Sequence, residues 1–128
     1  MDLAQSKRAA GEAWLRHWTA GPQRLRWREL PVQPGDSAPR LILPSSAGEP
    51  YELGQAWQGG PAVLVFLRHF GCSCAFDRAK RLVDELPALA AAGATVIAIG
   101  QGDPLRARAF AAATGLACPL LCDEGRRA

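Results

Sequence analysis

The sequence predicts an α/β fold in which a parallel central sheet lies between helices. One continuous apolar run, residues 62–67, and a second largely apolar stretch, residues 94–99, are typical of strands that are covered on both faces. A helical pattern lies between these runs and a second one follows them, so strands and helices alternate along the chain. Strands connected through helices pair in parallel with right-handed crossovers. We therefore expect one layered domain, with residues 119–122 as a third strand.

The first 30 residues are predicted to form a helical extension followed by a basic strand. Residues 2–19 carry apolar side chains near one helical face, including Trp14 and Trp18, and a Gly-Pro pair ends the pattern. Residues 24–30 alternate basic and apolar side chains, which is the period of a half-buried strand. We interpret them as an edge strand whose arginines discourage pairing with other chains.

Two helices are predicted in the second half of the chain. The helix over residues 72–92 has leucines recurring every three or four positions, and Pro87 within it should kink the helix or split it in two. Asp103 is a typical N-cap and Pro104 a typical first helical residue, so they predict a helix that runs to about residue 114.

Residues 31–128 are predicted to form the main domain, which opens with a short hairpin. Its first 30 residues are rich in Pro, Gly and Ser and contain two short apolar stretches, 41–43 and 51–53. A turn over residues 45–49 would join these stretches as two strands.

Composition excludes several classes of function. The chain has 128 residues, 48% hydrophobic and 21% charged, and a net charge of +3 without a dense basic face, so we expect no nucleic-acid partner. No apolar run approaches the roughly 20 residues of a membrane-spanning helix, and the N-terminus is too charged for a signal peptide. We therefore expect a cytoplasmic protein without a membrane partner, whose four cysteines are catalytic or metal-binding and not structural bridges.

Cys72 is the candidate reactive residue because it falls between the first long strand and the first long helix. Ligands of parallel sheets bind beyond the carboxyl ends of the strands, and a helix N-terminus favours the thiolate form of a cysteine. Arg68, His69 and Arg78 are near in sequence and could add positive charge. Gly71 would allow a sharp turn and the close approach of a small substrate.

A hydroperoxide fits this arrangement as substrate. The Cys72 thiolate would attack one peroxide oxygen and become a sulfenic acid, and Cys74 could then form a disulfide with it. Residues two apart on a helix point to opposite sides, so this bridge requires the first turn to distort and would be easily reduced. The alternative is that Cys74 is a small buried hydrophobic residue.

A metal site is the other interpretation of the cysteines. Cys118 and Cys122, together with Cys72, Cys74 and His69, have spacings only loosely like those of zinc ligands. Cys122 ends an apolar run, which favours a place in the core. We therefore expect neither a metal nor a cofactor.

The residues from Gly35 to Pro39, the hairpin, residues 63–68 and the pair Gly71-Cys72 together resemble the AhpC/TSA group of peroxiredoxin-like proteins. The resemblance covers about residues 33–123. It implies a thioredoxin-like fold and thiol redox chemistry, with Cys72 matching the reactive cysteine of the family.

The sequence departs from the family pattern at three places in the motif. Val65 and His69 stand where peroxiredoxins have a Pro and a Thr or Ser, and Ala75 stands where the related motif has its second cysteine, one residue after Cys74. The family also continues with two strands, a cis-proline loop and a closing helix. We therefore expect the C-terminal part of the fold to be missing, an open sheet edge at residues 119–122, and self-association as a homodimer.

The expected function is reduction of hydrogen peroxide or an organic hydroperoxide, with thioredoxin or glutathione as the thiol reductant. Catalysis would use Cys72 and Cys74, and Arg68, His69 and Gly71 would stabilise the thiolate. The alternatives are a thioredoxin-like protein disulfide reductase and a non-catalytic thioredoxin-like scaffold or metal carrier.

Overall fold

The computed structural model describes residues 2–20 and 32–125. Its helices are α1 (Leu3–Ala20), α2 (Ser73–Ala91) and α3 (Pro104–Thr114), and its strands are β1 (Ile42–Pro44), β2 (Pro50–Glu52), β3 (Ala62–His69), β4 (Thr95–Gln101) and β5 (Leu120–Cys122). The predicted α/β class, N-terminal helix and hairpin are confirmed. The strand predicted over residues 24–30 lies outside the described residues. No helix within the described ranges is long and apolar enough to cross a membrane.

The central sheet is parallel, with the order β3-β4-β5, and the hairpin β1-β2 is antiparallel. The hairpin meets the outer side of β5, where Ser45 forms an antiparallel bridge with Leu121 and the Ser46 N–H donates to the Leu120 carbonyl. All three residues of β5 are buried. The expectation of an open edge at residues 119–122 is therefore wrong. Among the described residues it is the outer edge of β3 that pairs with no strand.

The two faces of the sheet are covered by different elements. On β4, Val96 and Ala98 belong to the core under the helices, whereas Ile97 and Ile99 pack with the hairpin. Burial of each large aliphatic side chain contributes roughly 1.5–3 kcal/mol, which is why residues 96–99 of the strand are all apolar. The face of β3 toward the hairpin is less covered, and Phe66 is 60% exposed.

The long helix α2 is continuous through Pro87, so the predicted split does not occur. Proline lacks one backbone donor, and this position is exposed, while Leu82 in the preceding turns is fully buried. Packing of the buried face outweighs the loss. Helix α3 begins as predicted, since the Asp103 carboxylate accepts a hydrogen bond of 2.9 Å from the Arg106 N–H and Pro104 is the first helical residue.

Candidate active site

Cys72 lies immediately before α2 and beyond the carboxyl end of β3. Its backbone is extended, with φ −80° and ψ 131°, and it is the N-cap residue of the helix. The Cys72 N–H donates to the His69 carbonyl at 3.0 Å, and the Phe76 N–H donates to the Cys72 carbonyl at 3.2 Å. The predicted strand–turn–helix placement of the half-buried thiol is therefore present.

The surroundings of Cys72 favour its thiolate form. Burial acts to raise the pKa of the Cys72 thiol, but the N–H groups of Ala75 and Cys74, the positive charge of Arg68 and the Cys74 thiol lower it. The lowering contributions outweigh burial, so the pKa lies below its ordinary value. The Cys72 side chain makes no cap hydrogen bond of standard geometry, so the two N–H groups act as nearby dipoles.

Cys74 is a free, exposed thiol in the first turn of α2. The alternative in which Cys74 is a buried hydrophobic residue is therefore wrong. Cys72 is also a free thiol, so both cysteines are in the reduced form. The Cys74 thiol lies within hydrogen-bond reach of Cys72, so the divergence expected for residues two apart on a helix does not occur, because Cys72 is the extended N-cap residue and not part of the helix.

His69 supports the turn that precedes Cys72. Its Nδ1 accepts a hydrogen bond of 3.2 Å from the Gly71 N–H, which requires a neutral ring that carries its proton on Nε2. Burial, and after it the charge of Arg68, lowers the pKa of His69 from its ordinary 6.5. Arg78, in contrast, is paired with Glu85 at 2.9 Å.

Gly71 permits a close approach, but the approaching group belongs to α1. A Cβ at this position would lie 2.1 Å from the Lys7 carbonyl oxygen and 3.2 Å from the Gly11 nitrogen. The side of Gly71 that sequence reasoning assigned to a small substrate is therefore occupied by the helix backbone.

Three residues around the turn were missed by sequence reasoning: Lys7, Trp14 and Gln101. The Trp14 ring lies 5.2 Å from the His69 ring, and its Nε1–H donates to Oε1 of Gln101. The Lys7 ammonium lies 4.6 Å from the centroid of the Phe76 ring. The helical periodicity of the sequence predicts the apolar face that carries Trp14, but it does not predict which surface of the domain this face packs on.

Phe70 fixes the end of β3 beside the turn. A Cβ on Gly100 or on Gly102 would lie 2.3 Å or 2.7 Å from its ring, so these two glycines make room for it. The centroid of the Phe70 ring lies 5.4 Å from that of Phe110, and the centroids of the Phe110 and Phe76 rings are 4.7 Å apart. This aromatic packing connects β3, α2 and α3 directly behind Cys72.

Cys118 and Cys122 belong to the interior and not to the site. Cys122 is 1% exposed, and burial, followed by the charges of Asp103 and Glu124, raises its pKa to about 12. Burial also raises the pKa of the half-buried Cys118. The core position predicted for Cys122 is confirmed. Within residues 2–20 and 32–125, no three His, Cys, Asp or Glu side chains are grouped so as to hold a metal ion.

A parallel α/β sheet with a cysteine at the start of the helix that follows its first strand is a thioredoxin-like architecture. Residues 34–128 match the AhpC/TSA family, and the chain belongs to that family. The predicted resemblance is confirmed.

Solved structures of peroxiredoxins are similar to this chain. Peroxidoxin BcpB from Mycobacterium tuberculosis is 26% identical with a TM-score of 0.65, over 70% of this chain and 58% of that one. The bacterioferritin comigratory protein of Xanthomonas campestris is 25% identical with a TM-score of 0.58, over 63% of this chain and 51% of that one. Prostamide/prostaglandin F synthase from Salmo salar is 39% identical over 59 residues, which are 46% of this chain and 30% of that protein. The matched part of this chain thus covers between 30% and 58% of the length of these relatives.

Proposed function

We propose that this chain reduces hydroperoxides, with Cys72 as the nucleophile. The observation that carries the proposal is the position of Cys72 at the N-cap of α2, where neighbouring N–H groups and Arg68 lower its pKa. Membership of the AhpC/TSA family supports it, as does the similarity to a protein whose structure was described for its alkyl peroxide reduction activity.

The proposed reaction begins with the thiolate of Cys72. Its sulfur attacks one oxygen of the hydroperoxide, the O–O bond breaks, and the second oxygen leaves as water or an alcohol after it takes up a proton. Cys72 is then a sulfenic acid. The Cys74 thiol attacks this sulfur, water leaves, and a disulfide forms. A thiol reductant such as thioredoxin or glutathione returns two electrons and restores both thiols. We place this cycle in the reducing cytoplasm, where thiols stay free.

Stopped-flow measurement of hydroperoxide consumption tests the proposal. The wild-type chain is expected to consume hydrogen peroxide or an alkyl hydroperoxide, and Cys72→Ser is expected to lose this activity. Cys118→Ser is the matched control, since this thiol is half-buried and its pKa is raised by burial, so its loss should leave the rate unchanged. Equal rates in wild type and Cys72→Ser would exclude Cys72 as the nucleophile.

A second candidate is reduction of protein disulfides by the same two cysteines. The exposed position of Cys74 favours it, because a substrate protein can reach this thiol directly. Reduction of insulin that is faster than peroxide consumption at equal enzyme concentration would favour this activity over the first. The third alternative was a non-catalytic thioredoxin-like scaffold or a metal carrier, and the metal carrier has no observation in its favour among the described residues.

A further inference from the structure

Helix α1 lies across the carboxyl ends of all three parallel strands. It contacts His69 at the end of β3 through Trp14, and Gln101 at the end of β4 through the same side chain. Near its own end, His17 Nε2 lies 3.3 Å from Oε1 of Glu124, two residues beyond β5. Helix α1 precedes the residues that match the family, which begin at 34. The edge of the sheet at which parallel α/β proteins carry their sites is therefore bordered by an element outside the matched domain.

The contacts of α1 lie on both sides of Cys72 in the chain. Before it, the Lys7 carbonyl packs on Gly71, whose N–H is bonded to the His69 ring that Trp14 covers. After it, the Lys7 ammonium lies over the Phe76 ring. Phe76 in turn bonds through its N–H to the Cys72 carbonyl and so closes the first turn of α2. Helix α1 therefore holds the turn and the helix start together.

A disulfide between Cys72 and Cys74 requires these same elements to move. The Cys72 and Cys74 thiols lie within hydrogen-bond reach of each other, but a disulfide requires an S–S distance of about 2.05 Å and a restricted torsion angle, and with one residue between the cysteines the first turn of α2 must distort to provide them. This distortion displaces Phe76 and the turn at Gly71, which are the surfaces on which α1 packs. The docked helix and the closed disulfide thus compete for one segment.

We propose that α1 is a redox-linked clamp, in which Trp14 and Lys7 are positioning residues that hold the Cys72 turn in its reduced form. Formation of the Cys72–Cys74 disulfide then lowers the equilibrium constant for docking of α1. Because coupling between two equilibria is reciprocal, undocking of α1 raises the equilibrium constant for the disulfide by the same factor. The inference rests on the proposed function only in taking these two cysteines as the redox pair.

Equilibration with glutathione tests the clamp without any peroxide. One molecule of glutathione disulfide oxidises the two thiols to one internal disulfide and leaves two molecules of glutathione, and mass spectrometry gives the ratio of forms. Trp14→Ala removes one aromatic contact and one hydrogen bond, so we expect its equilibrium constant to shift on the order of tenfold toward the disulfide. Leu15→Ala, at a position that is 54% exposed on the same helix, should match wild type.

Hydrogen exchange of the full-length chain supplies a second readout. Amides of residues 3–20 should exchange faster in the disulfide form than in the reduced form, and Cys74→Ser treated identically should show no such change. Trp14→Phe keeps the ring over His69 but loses the bond to Gln101, so it should shift the glutathione equilibrium less than Trp14→Ala does. Equal constants for Trp14→Phe, Trp14→Ala and wild type would overturn the clamp, as would the absence of a Cys72–Cys74 disulfide. A chain that closes this disulfide but consumes no peroxide would contradict only the proposed function.

Discussion

The reactivity of Cys72 depends on the fraction of its thiol that is ionised. The rate of alkylation of Cys72 by iodoacetamide should rise with pH as the thiol ionises. Because the pKa is lowered, the midpoint of this rise should lie below the ordinary thiol pKa of 9.0. Arg68→Gln should move this midpoint upward, because the charge of Arg68 contributes to the lower pKa. Arg78→Gln is the matched control, since Arg78 is paired with Glu85. A wild-type midpoint at or above 9.0 would contradict the prediction.

His69 gives the chain a dependence of stability on acid pH. Because burial lowers its pKa below 6.5, the unfolded chain takes up a proton at pH values where the folded ring is still neutral. Stability should therefore fall as the pH is lowered from 6.5 to the native pKa, and His69 should have no effect above that window. The bond from the Gly71 N–H to Nδ1 is lost with protonation.

The variant His69→Phe tests this dependence because it keeps a ring beside Trp14 but cannot titrate. It should be less stable than wild type at neutral pH, since the Gly71 N–H loses its acceptor, and should lose less stability between neutral pH and about pH 5. Urea unfolding at the two pH values measures both effects. Identical losses in the two proteins would show that His69 does not cause the acid dependence.

At the scale of elements, the packing of α1 on the turn depends on the missing side chain of Gly71. Gly71→Ala should destabilise the chain by about 1–3 kcal/mol, because its Cβ would overlap the Lys7 carbonyl and force α1 away. Gly59→Ala is the control, as no atom lies within 4 Å of its Cβ position, and it should leave stability unchanged or slightly higher. Thermal unfolding compares them. A fully stable Gly71→Ala would mean that α1 does not pack tightly at this point.

The elements themselves were largely predictable, whereas their docking was not. Asp103 and Pro104 define the start of α3 through local chemistry, and the burial of β4 on both faces follows from an apolar run. The position of α1 depends on a carbonyl of Lys7 that meets a glycine 64 positions away, and no periodicity encodes such a contact. The loss of a backbone hydrogen bond at Pro87 is a local property that the sequence shows, whereas the tertiary packing that keeps α2 continuous is not local.

At the scale of the whole molecule, the sheet formed by the described residues presents the edge of β3, while the edge of β5 meets the hairpin. Phe66 on this strand is 60% exposed, and an apolar groove of about 320 Å³ beside it is lined by Leu41, Trp57 and Leu64, among others. We therefore expect the chain to self-associate as a homodimer through β3, where two edges can pair. The sequence predicted an open edge but placed it wrongly, since the pairing of the hairpin with β5 is not local.

Light scattering over a range of concentrations tests the homodimer. Phe66→Lys should shift the chain toward monomer, because a charge at the edge opposes pairing. Leu105→Lys, which alters a side chain on α3 that is 52% exposed, should not change the mass. A monodisperse wild-type monomer at all concentrations would contradict self-association.

Because the cysteines are divided between surface and interior, the number of alkylated cysteines per molecule reports whether the chain is folded. Cys74 is exposed, and the pKa of Cys72 is lowered. Burial raises the pKa values of Cys118 and Cys122, so these two thiols react slowly in the folded chain. A brief pulse of alkylating reagent should therefore mark two sulfurs in a native molecule and four in an unfolded one. The mass of each labelled molecule then records its conformation at the moment of the pulse, so a mixture is resolved into its populations and not averaged. The four cysteines of the wild-type sequence suffice for this measurement, so no cysteine needs to be added or removed.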